Sequence, residues 1–181
     1  MNSLCVFCGS KEGKSKKYTE LGQELGALMA AEKMPLVYGG GSVGIMGVLA
    51  DACLEKGGSV YGVMPQSLMD WEVGHAGLTE LTVVDNMHDR KAKMYELSDG
   101  FVALPGGMGT LDELCEIITW AQLDYHKKPI YLLNDFGFFD HLIKHFDLAV
   151  EEGFLSQEHR DWINIVEGPK NLIAAFKSSQ S

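Results

Sequence analysis

The stretch Pro105-Gly106-Gly107-Met108-Gly109-Thr110-Leu111-Asp112-Glu113 follows the apolar run Phe101–Leu104 and leads into a helical pattern. Glycine lets an anion reach backbone N–H groups without meeting a Cβ. A helix start adds further free N–H groups and the positive end of its dipole. Thr110 contributes a hydroxyl and Glu113 a carboxylate. Thr110-x-x-Glu113 also spells a capping box, in which each side chain would satisfy a backbone N–H at the helix start. Local physics alone leaves capping and catalysis equally open for Glu113. A second cluster, Gly39-Gly40-Gly41-Ser42-Val43-Gly44-Ile45-Met46-Gly47, follows Leu36-Val37-Tyr38 and opens another helix. Gly40, Gly41 and Gly44 are its candidate phosphate contacts, and Gly9 and Ser10 at the end of the first apolar run join them. There is no Walker lysine, which excludes a P-loop. Two phosphate-type loops in one chain are far more specific than one, and they turn the reading of Glu113 towards function.

Between the loops lies Met87-His88-Asp89-Arg90-Lys91-Ala92-Lys93-Met94. Asp89 suits an N-cap or first helical turn. Arg90 and Lys91 at a helix start oppose the dipole unless an anion is near, and a guanidinium can grip phosphate in a bidentate way. The bland alternative is a solvated charged face. His88 reads as packing or capping rather than catalysis. Glu72 sits in Gln66–Gly77, the longest segment without a clear period, where a lone carboxylate is ordinarily solvated.

These side chains need elements to hold them, and the periodicity supplies a β-α-β-α order from end to end. Strand-like runs cover Leu4–Cys8, Leu36–Tyr38, Val60–Met64, Leu81–Val84, Phe101–Leu104 and Pro129–Leu133. Helical patterns cover Tyr18–Glu32, Ile45–Lys56, Asp89–Ser98, Leu111–Asp124 and Phe139–Glu151. A helix-strand-helix tail runs from Gln157 to Lys177, and Ser178–Ser181 reads as a frayed end. Alternation of this kind predicts a doubly wound, Rossmann-like α/β fold with a parallel sheet, built as a single domain over residues 1–181.

Composition narrows the function classes. Apolar residues make up 46% and charged residues 22%, the balance of an ordinary globular protein. A net charge of −10 argues against general affinity for nucleic acid or an anionic membrane surface, without forbidding a small phosphorylated ligand. No apolar run approaches bilayer length. Met1-Asn2-Ser3-Leu4 enters the first strand at once, so no secretory leader is expected and the expected location is the cytoplasm. Cys5-Val6-Phe7-Cys8 has redox or zinc spacing, but inside a strand these positions face opposite sides. With Cys53 and Cys115 isolated in helical patterns, buried free thiols are expected, and no metal or cofactor is called for.

Taken together, Gly-Gly-Gly-x-x-Gly-x-Met-Gly at 39–47, Met-His-x-Arg-Lys at 87–91 and Pro-Gly-Gly-x-Gly-Thr-x-x-Glu at 105–113 resemble the LOG ("Lonely Guy") proteins. These are cytokinin riboside 5′-monophosphate phosphoribohydrolases. The likeness runs from Cys5–Ser10 through Ile118–Leu123 to Glu151–Phe154, most of the chain. It implies a homodimer that hydrolyses AMP-type and N6-modified AMP-type nucleotides to free base and ribose 5-phosphate. By the same likeness Arg90 and Glu113 match the catalytic pair. Glu72, Lys91, Gly107, Met108, Gly109, Thr110, Leu111, Asp112 and Thr119 match nucleotide contacts. Asp112 stands where many members have Glu. A "lysine decarboxylase" label is rejected because no pyridoxal-phosphate lysine motif is recognisable. The competing readings are a non-catalytic nucleotide or molybdopterin-type cofactor carrier, which the Arg90–Glu113 pairing disfavours, and an NAD(P)-dependent oxidoreductase.

Overall fold

The computed structural model describes residues 2–69 and 74–180. Seven parallel strands form one sheet in the order β4-β3-β2-β1-β5-β6-β7. They are β1 Leu4–Phe7, β2 Leu36–Tyr38, β3 Val60–Pro65, β4 Glu80–Val84, β5 Gly100–Ala103, β6 Ile130–Leu133 and β7 Ile163–Val166. The four central strands β2, β1, β5 and β6 are buried at every position, which is why they read as unbroken apolar runs. The edge strands β4 and β7 carry exposed residues.

Helices cover both faces. On one side α1 (Lys17–Ala31), α2 (Gly44–Glu55) and α8 (Pro169–Ser179) close a core around Leu25, Met29, Leu49, Tyr38 and Phe176. On the other, α4 (Met87–Glu96), α5 (Met108–Gln122) and α6 (Asp140–Glu151) pack on Phe7, Val63, Phe101 and Leu132. This is the Rossmann-like arrangement that the alternation predicts. Among the described residues α3 (Gln66–Met69) and α7 (Gln157–Asp161) are short helices.

Local differences from the sequence reading have physical causes. Part of the segment expected to be irregular, Gln66–Met69, winds into α3 directly after Pro65. Ser178 and Ser179 are not frayed: both continue α8, where their hydroxyls donate to Ala174 and Phe176 carbonyls. Cys5, Cys8 and Cys53 are buried as expected, but Cys115 lies on the exposed side of α5.

The topology also fixes where a ligand can lie. From β1 the chain builds outward through β2, β3 and β4, and α4 then carries it back to β5 on the other side of β1. The loops leaving β1 and β5 therefore diverge, which opens a crevice at the carboxyl ends of these two strands. Backbone bonds tie the rims together. Leu104 N–H donates to Phe7 O at 2.9 Å and Gly9 N–H to Pro105 O at 3.1 Å.

Candidate active site

Helix α5 starts at Met108, ahead of the expected Leu111, because the glycines themselves enter the first turn. Gly107 is the N-cap, extended at φ −101°, and no side chain caps the helix. This makes Thr110 the third helical residue and Glu113 the sixth, so the Thr110-x-x-Glu113 capping box does not form. The first-turn N–H groups of an α-helix have no carbonyl partner four residues back. Here that turn borders a cleft of about 180 Å³ lined by Cys8, Gly9, Ser10, Met46, Arg90, Gly107, Met108, Gly109, Thr110 and Glu113.

Gly107 and Gly109 differ from the other glycines around the cleft. Neither has a positive φ, and a Cβ built on either meets nothing within 4 Å. Packing within the described residues does not call for glycine at these two positions. The open space they leave belongs to the cleft.

Arg90 lies at the start of α4, whose N-cap Asn86 accepts from the His88 and Asp89 N–H groups. Asp89 is thus a first-turn acid and not the cap, and His88 is exposed. The Arg90 side chain turns inward and is 8% exposed. Its Nε donates to Val63 O, within β3, at 3.1 Å and its Nη2 to Gly39 O, just past β2, at 3.2 Å. Nη1 stands 3.8 Å from Glu113 Oε1. Gly39 makes this possible, because a Cβ there would fall 1.9 Å from Nη2.

Glu113 is 8% exposed. Burial pushes its carboxyl up to about 7, with the Arg90 guanidinium pulling the other way. At 3.8 Å the pair attracts without hydrogen bonding, so Oε1 keeps lone pairs for a water or a ligand hydroxyl. The Cys8 thiol, buried in the same wall, is pushed far up by burial and by the Glu113 charge, and so stays protonated.

The Ile45 and Met46 N–H groups at the start of α2 both donate to Gly9 O, at 3.0 and 3.3 Å, so they are occupied by the chain itself. Gly44 takes φ +64°, and a Cβ there would lie 2.3 Å from the Ser10 carbonyl carbon. Gly40 and Gly41 are buried: Gly40 O accepts from His75 N–H, and Gly41 forms a bridge with Gly74. Gly40, Gly41 and Gly44 therefore support the rim and do not line the cleft, whereas Gly9 and Ser10 do. The amides that open α2 are thus bonded within the chain, whereas the start of α5 borders the cleft.

Lys91 is likewise engaged elsewhere. Its Nζ contacts Asp112 Oδ2 and Glu116 Oε1, each at 3.1 Å. Burial works against its charge, but these two bonds outweigh it and hold the ammonium above its usual range. Asp112 faces Lys91, Leu111 packs against the core, and Thr119 sits exposed on α5, donating to Cys115 O at 2.8 Å. Lys91, Leu111, Asp112 and Thr119 are thus not among the cleft-lining residues. Glu72 lies outside the described residues. Sequence reasoning assigned no role to Cys8, Met46 or Gly39. Cys8 precedes Gly9, and Gly39 and Met46 belong to the first glycine motif, but only the folded packing shows what they touch.

A larger cavity of about 560 Å³ lies at the opposite end of the sheet, among Pro129, Ile130, Trp162 and Asn164. It holds neither Arg90 nor Glu113, and it is on the wrong end of the strands for the ligand crevice of this fold.

Fold and site together define a Rossmann-like α/β protein with a buried arginine–carboxylate pair beside an uncapped helix N-terminus. The chain belongs to the family described as "Possible lysine decarboxylase", whose model matches residues 46–176. It is 48% identical over 175 residues to a rice protein (Oryza sativa subsp. japonica) named "Probable cytokinin riboside 5'-monophosphate phosphoribohydrolase LOGL6", a match covering 97% of this chain and 70% of that one. It is 45% identical over 177 residues to the cytokinin riboside 5′-monophosphate phosphoribohydrolase of Rhodococcoides fascians, covering 97% and 89%. Among solved structures, the molybdenum cofactor binding protein of Rippkaea orientalis superposes with a TM-score of 0.74 over 99% and 98% of the two chains. At 24% identity, that likeness concerns the fold alone.

Proposed function

We propose that this protein hydrolyses the N-glycosidic bond of a nucleoside 5′-monophosphate, AMP or an N6-modified AMP, to free base and ribose 5-phosphate. The observation that carries the reading is the buried Arg90–Glu113 pair, 3.8 Å apart, bordering the same cleft as the uncapped start of α5. The names of relatives at 45–48% identity support it. The 5′-phosphate sits on the first-turn amides of α5, over Gly107 and Gly109. From there the ribose reaches Glu113. The C1′–N bond breaks with its electron pair going to the base, and C1′ takes on oxocarbenium character. Ionised Glu113 stabilises that charge and accepts a proton from the attacking water, whose oxygen bonds to C1′. A proton delivered from solvent completes the leaving base. Arg90 opposes the effect of burial on Glu113, favouring its ionised form, and adds a cation beside the phosphate.

The protein acts as a homodimer in this reading. Thr119, exposed on α5 away from its own cleft, is available to a second copy. The proposed location is the cytoplasm. Among the described residues no helix is long and apolar enough to cross a membrane, and the four cysteines are free thiols.

The deciding experiment is incubation with AMP and chromatography for free adenine. Adenine release supports hydrolysis, whereas AMP that binds and is recovered intact favours a carrier. Phosphate binding is energy remote from the bond that breaks, and it raises the rate only through orientation. Adenosine is therefore expected to react with kcat/KM at least about 100-fold below AMP. Comparable values for the two would remove the α5 phosphate seat.

A second expectation concerns Gly109→Ala. The added Cβ meets nothing in the fold, and alanine is the better helix former by about 0.5–1 kcal/mol. Thermal unfolding should show equal or higher stability, while KM for AMP rises about tenfold or more as the methyl crowds the phosphate. An unchanged KM would mean that the phosphate lies elsewhere.

A further inference from the structure

Helices α4 and α5 belong to the same layer, but they rest on different strands. Met94 and Tyr95 of α4 and Leu114, Ile117 and Ile118 of α5 enter one core over the sheet. The catalytic gap lies between the two helices, since Arg90 comes from α4 and Glu113 from α5. Whatever joins the helices sets that gap.

Two ladders join them, each with the four-residue spacing that puts side chains on one helical face. Lys91 and Tyr95 project from α4, and Asp112 and Glu116 from α5. Lys91 Nζ contacts both carboxylates, Asp112 Oδ2 and Glu116 Oε1, at 3.1 Å. The Tyr95 hydroxyl donates to the other oxygen of Glu116, Oε2, at 2.8 Å and lies 3.5 Å from the backbone carbonyl of Glu113 itself. The Glu116 carboxylate thus receives Lys91 on one oxygen and Tyr95 on the other. Lys91 is 7% exposed and Tyr95 4% exposed, so water competes little for these bonds. The Tyr95 ring is fixed edge-on against Phe101 at 5.5 Å and Trp120 at 5.1 Å between centroids.

We propose that Tyr95 and Glu116, with Lys91, are positioning residues: they clamp α4 to α5 at the residues flanking Arg90 and Glu113 and so fix the distance between the catalytic guanidinium and carboxylate. This rests on the hydrolase reading above and adds to it a part of the machinery that does not touch the substrate. Lys91 then serves the reaction through Glu116 and Asp112, not as a phosphate ligand. Glu116 sits one helical turn beyond Asp112, outside the glycine loop, so the clamp includes residues that no phosphate-binding pattern would single out.

Tyr95→Phe is the cleanest probe, because it removes one hydroxyl and no charge and keeps the ring contacts. Glu116→Gln removes the carboxylate that both α4 side chains share. Both are compared with wild type in three measurements: kcat and KM for AMP, thermal unfolding, and the titration of the Glu113 carboxyl by NMR of carbon-13-labelled, ligand-free protein. Misplacing catalytic groups by an ångström costs rate and not binding, so kcat is expected to fall about tenfold in each variant with KM within about twofold. Because the two groups act through one bond, the double variant should lose little more than the worse single one. With the clamp released, Glu113 gains solvent and its titration midpoint moves down towards the ordinary carboxylate range in Tyr95→Phe, although no charge has changed.

Unchanged kcat in both variants, alongside an active wild type, overturns the clamp. So does a Glu113 midpoint that stays in place in Tyr95→Phe. A wild type that releases no adenine would sink the hydrolase reading instead. The NMR titration would still report whether Tyr95 and Glu116 position Glu113.

Discussion

Glu113→Gln is expected to fold and to release adenine from AMP about 10²–10⁴-fold more slowly than the wild type, the usual contribution of a group that accepts or donates a proton. The substitution keeps shape and volume while removing the charge that faces the sugar. It also separates catalysis from capping. Glu113 is the sixth residue of α5, too far along to bond the N-cap backbone, and no side-chain cap exists to be lost. A cap-type defect of stability would be the wrong outcome, and near-normal turnover would make Glu113 structural.

The same residue predicts a pH dependence of known sign. Burial raises the carboxyl from 4.5 to about 7, and only the ionised form can accept a proton from water. Wild-type kcat/KM should therefore rise with pH through a midpoint near 7 and then level off. Stability should run the opposite way. Between pH 4.5 and about 7 the folded protein holds a proton that the unfolded chain has already lost. The contribution is thus fully present below 4.5 and fades as pH rises through about 7. Glutamine carries no such proton. Urea unfolding at about pH 4.5 and pH 8 should show the Gln variant gaining on wild type by up to roughly 3 kcal/mol at the higher pH. A constant difference would mean that Glu113 is not perturbed by its surroundings.

Arg90→Lys is expected to be the second most damaging change. One ammonium cannot replace a guanidinium that donates from Nε to Val63 O and from Nη2 to Gly39 O while presenting Nη1 to Glu113. Two buried carbonyls lose their donor and Glu113 loses a fixed cation. Activity should fall about 100-fold or more and stability by about 1–3 kcal/mol, measured by adenine release and urea unfolding. Gly39→Ala offers an independent route to the same defect, since its Cβ would stand 1.9 Å from Nη2 and must displace the guanidinium. If Arg90→Lys retains turnover, Arg90 serves the fold alone. If Gly39→Ala retains it, the guanidinium is not held where the structure has it.

Much of this was legible along the chain because it is local. Apolar runs such as Phe101–Leu104, broken by glycine and followed by helical periodicity, dictate strands buried on both faces and helices that cover them. Glycines at a strand-to-helix turn mark Gly107–Thr110 as open backbone at a helix start, whatever the rest of the chain does. Arg90 could be singled out because a cation in the first turn of a helix opposes its dipole and needs a reason to be there.

What the one-dimensional pattern left undecided was partnership across distance. By local physics Thr110 and Glu113 fit a cap and a catalytic site equally well, and it is the start of the helix at Met108 that removes the cap, because neither can cap it there. The two glycine loops looked alike in sequence, yet one gives its helix amides to Gly9 O and makes room for Arg90, while the other leaves its first turn on the cleft. Lys91 followed Arg90 into the expected phosphate site, but the turn of α4 sends it to Asp112 and Glu116 instead. Residue type and spacing set what a group is able to bond. Which bond it makes depends on which of several competing partners the packed core brings within about 3 Å, and only the tertiary structure decides that.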